Sequence, residues 1–278
     1  MSKILILLLP LLCFTSAVKA QGNWYERDED TFVADTNRWS FGVNLGAYFA
    51  DNNTAVLYTG SPRVSLYGVE FIMQQQFNRQ FFEDYFQYPL DDEVEYPLEP
   101  RYQTAFELGG HLGFRFLPRF NLFADFNVVQ LDFEQAFTVA IQDPFNGIPG
   151  PTFEQIPIIG EENRFFLNLG LQYDYYVGNF SEAYISVFGH ANNVQMQQNY
   201  FVVDNREFNI FHFNPNTSNQ RPGGNGLGFG FGTGFKFQFY EHVWVDLMYQ
   251  LVRSEIELTE TVTEQGLHHS LGIRVIWK

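Results

Sequence analysis

The chain has 278 residues, of which 45% are hydrophobic, 18% aromatic and only 17% charged. Its 32 acidic residues outnumber 16 basic ones, for a net charge of −16. That balance excludes a general nucleic-acid binder, which needs a basic footprint to neutralise phosphates, and the aromatic content excludes a disordered chain.

The first twenty residues read as a secretory signal peptide. Lys3 supplies the positive start, Ile4 to Phe14 is apolar apart from Pro10, and Val18-Lys19-Ala20 precedes a cut before Gln21. The apolar run is too short for a spanning helix, which needs about 20 residues. Leu12 stands before Cys13 where a lipobox wants a small residue, so no lipid anchor is expected. Cleavage removes Lys3, Lys19 and Cys13, leaving a still more acidic chain without cysteine. An exported chain without disulfides must hold its fold by other means. Residues 21–37 follow as a periplasmic N-terminal segment, and 38–278 as one domain.

No window after residue 20 is apolar enough for a spanning helix. The dominant signal is alternation with period 2, the mark of strands. Trp39, Phe41, Val43, Leu45, Ala47 and Phe49 alternate with small or polar residues. The pattern returns in Phe106 to Phe116, Phe165 to Leu171, Val243 to Leu251 and Leu271 to Trp277. It is clearest in Leu227 to Phe239, where Phe alternates with Gly228, Gly230, Gly232 and Gly234. Glycine on a solvated face packs nothing. It makes sense where that face looks into a crowded interior and the Phe face meets lipid.

Eight strands are expected, near 38–50, 102–117, 120–134, 163–177, 182–196, 225–239, 242–257 and 266–278. Each is long enough to cross a bilayer at a tilt, which takes about 9–11 residues. The expected fold is all-β: a transmembrane antiparallel up-and-down β-barrel. The connections 117–119, 178–181 and 240–241 are short, and 51–101, 135–162 and 197–224 are long. Short periplasmic turns and long external loops are the known asymmetry of such barrels.

The first long loop carries Val69, Met73, Phe77, Phe81 and Tyr85 at every fourth position, which predicts an amphipathic helix over 69–86. It is a candidate interaction helix at the external mouth. Alternation of Tyr67, Val69, Phe71 and Met73 leaves open an extra hairpin with 54–59, and so ten strands. Asp91, Asp92, Glu93, Glu95 and Glu99, with prolines among them, read as a solvated acidic loop rather than a metal site, since no EF-hand spacing is present.

Charges fall on the inward side of the strands: Glu107, Arg115, Asp125, Asp174, Lys236, Asp246 and Arg274. An eight-stranded barrel is just wide enough for side chains to fill. Buried charges must be paired, so these seven are expected to form a lumen network. Hairpin pairing is expected to set Arg115 near Asp125 and Lys236 near Asp246. His268, Ser270 and Glu255 offer the groups of a hydrolase triad. His268 and Ser270 nevertheless share parity with inward Arg274, away from any lipid substrate. No catalytic, metal or cofactor-binding residue is assigned.

With these features together, the chain resembles small bacterial outer-membrane barrels of the OmpA/OmpX type. The stretches WSFGVNLGAYFADNNTAVLYTG and YQTAFELGGHLGFRF resemble a family of Bacteroidota outer-membrane barrels. Family members usually end in Phe or Trp, whereas here Lys278 follows Trp277. The resemblance implies the outer membrane of a Gram-negative bacterium, with lipid and lipopolysaccharide as surroundings. It also implies a noncatalytic structural or surface-interaction role, with a protein partner at the external loops. The alternatives are a lipid-modifying hydrolase and an accessory barrel of a secretion or assembly complex.

Overall fold

The computed structural model describes residues 38–142, 151–213, 221–259 and 262–278. The expected signal peptide and the segment 21–37 lie outside these residues. Eight long strands form the wall: β1 (Trp39–Phe49), β3 (Ala105–Leu117), β4 (Phe120–Ile141), β5 (Thr152–Val177), β6 (Ser181–Val203), β8 (Gly223–Tyr240), β9 (Val243–Thr259) and β10 (Val262–Trp277). Neighbours pair antiparallel, and β1 joins β10 to close the ring, with Phe41 opposite Trp277 and Asn44 opposite Arg274. Closure leaves no edge strand in the wall. The three short turns and both ends of the barrel lie at one rim, and the long connections at the other.

Two short strands sit outside the ring. β2 (Leu90–Glu95) pairs with the far end of β4, and β7 (Arg206–Asn209) with the far end of β6. The acidic stretch 91–95 is therefore strand rather than loop. The extra hairpin is absent from the wall: 53–59 forms a 3-10 helix, and Tyr67 makes a single bridge to Phe211. That helix ends at Gly60, whose φ of 62° is left-handed. A Cβ there would lie 2.8 Å from Ile210 Cδ1, so glycine fits on both counts.

The expected loop 135–162 is largely strand. β4 and β5 pair continuously from Phe120–Tyr173 to Ile141–Thr152. Near the short-turn rim, outward Leu122 and Phe126 are apolar, while inward Asp125 and Asn127 are polar and buried. Beyond Val129 the polarity reverses on the same strand. Gln130, Asp132 and Glu134 face out, and Leu131, Phe133, Phe137 and Val139 are buried inside. On β6 a bulge near Gln197 shifts the parity, so that Val194 and Met196 before it and Phe201 and Val203 after it all point inward.

The reversed stretch encloses a second core, the outer lobe. Leu57 and Tyr58 of the 3-10 helix pack there with Phe133, Phe137, Ile158, Phe201 and Ile256. The helical segment divides into α1 (Val69–Gln74) and α2 (Gln76–Phe86). The expected continuous helix 69–86 is broken at Gln75, whose ψ is 127°. Asn78 Nδ2 donates to the Ile72 carbonyl at 2.9 Å, which caps α1 and explains the break.

Candidate functional site

Large and charged side chains reach into the lumen. Glycines on the inward face of β8 admit large side chains from neighbouring strands. A Cβ at Gly230 would lie 2.3 Å from the Phe188 ring, and one at Gly234 2.5 Å from the Tyr184 hydroxyl. Phe123, Phe188 and Val252 make an apolar plug across the middle.

Two polar clusters surround that plug. In the first, Arg274 donates from Nη2 to Asp125 Oδ2 at 2.7 Å and from Nε to Asn44 Oδ1 at 2.7 Å. Its Nη1 lies 3.6 Å from Asp246 Oδ2, which also accepts the Tyr184 hydroxyl at 3.0 Å. His111 Nδ1 meets Asp125 Oδ1 at 2.6 Å. Asn44 continues to Asn127 at 2.9 Å, and Asn127 donates to Glu107 at 2.5 Å. In the second cluster, Arg115 lies 3.0 Å from Glu182 and 3.8 Å from Asp174. Lys278 reaches Glu182 at 3.2 Å, and Asn121 and Gln172 donate to Asp174.

The expected Arg115–Asp125 proximity does not occur. Arg115 stands opposite Asn121, and Asp125 stands opposite His111. The Leu117-Pro118-Arg119 turn sets this register, with an irregularity at Arg115/Leu117. Lys236 does stand opposite Asp246, but its ammonium lies over the Tyr184 ring at 4.7 Å. Arg274 takes Asp246 from the other side. Glu107, Arg115, Asp125, Asp174, Lys236, Asp246 and Arg274 thus divide between the two clusters, with Lys236 beside Tyr184.

Sequence reasoning missed the amides Asn44, Asn121 and Asn127, and also Glu182. They lie on the inward parity of their strands, which is the signal that would have found them. It also missed the seam between lumen and outer lobe. There Arg164 pairs with Glu162, both fully buried. The hydroxyls of Tyr58 and Tyr102 donate to Glu162 at 2.8 and 2.9 Å. Burial, followed by the Glu162 charge, pushes both phenols well above the usual range.

The triad groups do not assemble. Ser270 donates to Glu107, and His268 Nδ1 accepts the backbone N–H of Asp51 at 3.1 Å. Both side chains are buried in the lumen, while Glu255 lies on the outward parity of β9. Among the described residues no group of three or more His, Cys, Asp or Glu is placed to hold a metal.

The row Val69, Met73, Phe77, Phe81 and Tyr85 is split by the break at Gln75. Val69 and Met73 are buried in the outer core, and Phe81 packs against it beside Phe208. Phe77 is 79% exposed and Tyr85 47%. Phe82, which lies off that row, is fully buried, with ring centroids 4.9 Å from Phe208 and 6.2 Å from Phe201. Nearby, burial holds the His212 imidazole down at about 4; Asn199 Nδ2 lies 3.1 Å from its Nε2.

No protein-family model matches the chain, and no curated protein matches it. Solved structures similar to it include Neisserial surface protein A, at 9% identity and a TM-score of 0.43, over 87% of this chain and 97% of that one. The attachment invasion locus protein of Yersinia pestis is similar at 8% identity and a TM-score of 0.37, over 87% and 100% of the two chains. The N-terminal β-barrel domain of Pseudomonas aeruginosa OprF is similar at 10% and 0.33, over 87% and 98%.

Proposed function

We propose that the chain is a noncatalytic outer-membrane barrel of a Gram-negative bacterium, whose sealed wall carries a surface-exposed lobe for interaction. One observation carries this reading: the outward face of the wall is apolar over a belt, and none of the other described residues covers it. Phe41, Leu45, Leu108, Phe126, Leu167, Leu169, Val187, Phe229, Leu247 and Ile273 are all exposed there. On β4 the belt runs from Phe120 to Val128, close to the roughly 9–11 residues of a spanning strand. Trp39, Tyr175, Tyr176, Tyr240 and Trp277 are exposed at the short-turn rim, where an interfacial aromatic girdle belongs. Patches this large are uncommon on a soluble monomer.

In this orientation the short turns are periplasmic and the outer lobe is external. The packed lumen removes a diffusion role. The lobe offers Leu66, Phe77 and Leu98, all strongly exposed, to a surface partner. The split helical row supports this reading: Val69 and Met73 hold the lobe together while Phe77 is left free for contact. The Bacteroidota-like stretches Trp39–Gly60 and Tyr102–Phe116 belong to the same reading.

Fractionation followed by unheated gel electrophoresis tests the compartment. Membrane association and faster migration of the unheated band are expected. Full solubility in aqueous buffer without membranes would overturn it. Cross-linking from a cysteine placed at Phe77 in intact cells tests the lobe, and a specific adduct is expected.

A further inference from the structure

The boundary where the apolar belt ends has one unusual sector. The outward residues that end the belt are amides on β4, β5, β6, β8 and β10: Gln130, Asn163, Asn193, Asn225 and Gln265. On β9 that position belongs to Arg253. Among the described residues it is the one outward-facing cation at this level, Arg164 being turned inward. Directly across from it stand Phe229 on β8 and Leu267 on β10, both exposed. Arg253 therefore lies among apolar side chains of the wall, with exposed Leu227 on β8 one row further out.

Its polar contact is neutral. Arg253 Nη2 donates to Gln265 Oε1 at 3.1 Å. The guanidinium has five N–H donors in a fixed fork, so most of them remain for another acceptor. Glu255 stands two residues further out, opposite Gln265, and bounds the site on its aqueous side. Glu264 on β10 and Glu257, opposite Thr263, stand further out still; Asp51 is engaged, accepting the N–H groups of Asn53 and Leu267.

A second polar pair lies one row deeper on the same two strands. Tyr249 and His269 both face outward and are hydrogen-bonded, phenol oxygen to Nδ1, at 2.6 Å. With the phenol donating, a neutral imidazole would carry its proton on Nε2. His269 stands beside Leu251 and Phe49, within the apolar belt. A polar pair and an unneutralised arginine in adjoining rows are costly on a lipid-facing wall, and less so near the interface.

The geometry points to a binding site for the phosphorylated headgroup of an outer-leaflet lipid, formed by Arg253, Gln265 and His269, with Tyr249 orienting the imidazole. Guanidinium and phosphate match in charge and fork geometry. Phe229, Leu267 and Leu251 line the wall around and below, where the acyl chains of the same molecule would lie. A free phosphate shares the headgroup chemistry but gains nothing from that apolar surround. The proposal rests on the outer-membrane reading given above.

Native mass spectrometry of the full chain in detergent tests it, with bis-phosphorylated lipid A as the probe. The wild type is expected to retain one lipid, and Arg253→Gln to weaken retention about tenfold, the size of one charge-assisted contact. His269→Phe is expected to weaken it less. Dephosphorylated lipid A is expected to bind the wild type no better than bis-phosphorylated lipid A binds Arg253→Gln. Inorganic phosphate at equal concentration is expected not to displace the lipid; displacement would assign the site to free phosphate and overturn the lipid claim. Retention unchanged in Arg253→Gln, with heat-modifiable migration intact, would overturn the site and leave the barrel reading standing. Recovery of the wild type as a water-soluble protein would overturn both.

Discussion

Arg274 on β10 and Asp125 on β4 meet across the lumen, Nη2 to Oδ2 at 2.7 Å, with neither side chain appreciably exposed. The pair ties the last strand of the wall to the third, bypassing β1 and β3. Its carboxylate also holds His111, and its guanidinium also holds Asn44 and approaches Asp246.

Removing one partner of such a pair strands the other charge. Arg274→Met is expected to cost about 3–5 kcal/mol. Urea titration of the folded band in detergent measures this. Adding Asp125→Leu should recover part of the loss, because an apolar pair no longer leaves the Asp125 charge without Arg274. A double variant weaker than the single one would contradict this account.

The glycine face of β8 makes a second claim. Gly230→Ala places a methyl 2.3 Å from the Phe188 ring and is expected to destabilise the barrel by about 1–3 kcal/mol through overpacking. Gly230→Ala combined with Phe188→Leu should be less destabilised than the sum of the two. A double-mutant cycle on thermal unfolding reads the coupling.

Phe123, Phe188 and Arg274 all point into the lumen, so no continuous aqueous path through it is expected. Planar-bilayer recording of the purified barrel is expected to show no steady large conductance. A stable open level would show that the plug yields.

On α2, buried Phe82 and exposed Phe77 are expected to respond differently to substitution. Phe82→Ala is expected to loosen the lobe by about 3–5 kcal/mol, seen as rapid proteolysis of the external segments. Phe77→Ser should leave proteolysis unchanged, because that ring is 79% exposed, and should reduce surface cross-linking. Equal proteolytic effects would contradict the division.

Acid should also loosen the lobe. The His212 imidazole is held down at about 4 by burial, below its ordinary 6.5. Between those values the unfolded lobe takes up a proton that the folded one refuses, so stability falls as pH drops from about 6.5 to about 4. His212→Gln should flatten that part of the profile, as hydrogen exchange of β7 and its surroundings would show.

Period 2 made all eight wall strands legible, because a closed sheet between two different media must alternate. Trp39 to Phe49 and Leu227 to Phe239 display it without interruption. Glu107, Asp125 and Arg274 likewise share the inward parity of their strands.

Tertiary structure decided the rest. The hairpin of β4 and β5 runs well past 134 and 163, but beyond the belt its outward residues are polar. Alternation continues there with its polarity reversed, as Asp132 and Phe133 show, and a search for apolar-out strands stops too soon. Partners across the lumen depend on closure and register, so Arg115 finds Glu182 from a strand distant in sequence rather than nearby Asp125. The break at Gln75 is bridged by side-chain hydrogen bonds from Asn78 to Ile72 and Gln75, which no periodicity encodes. Beyond the break Phe77 and Tyr85 face out, while Val69 and Met73 before it and Phe81 after it pack on the core.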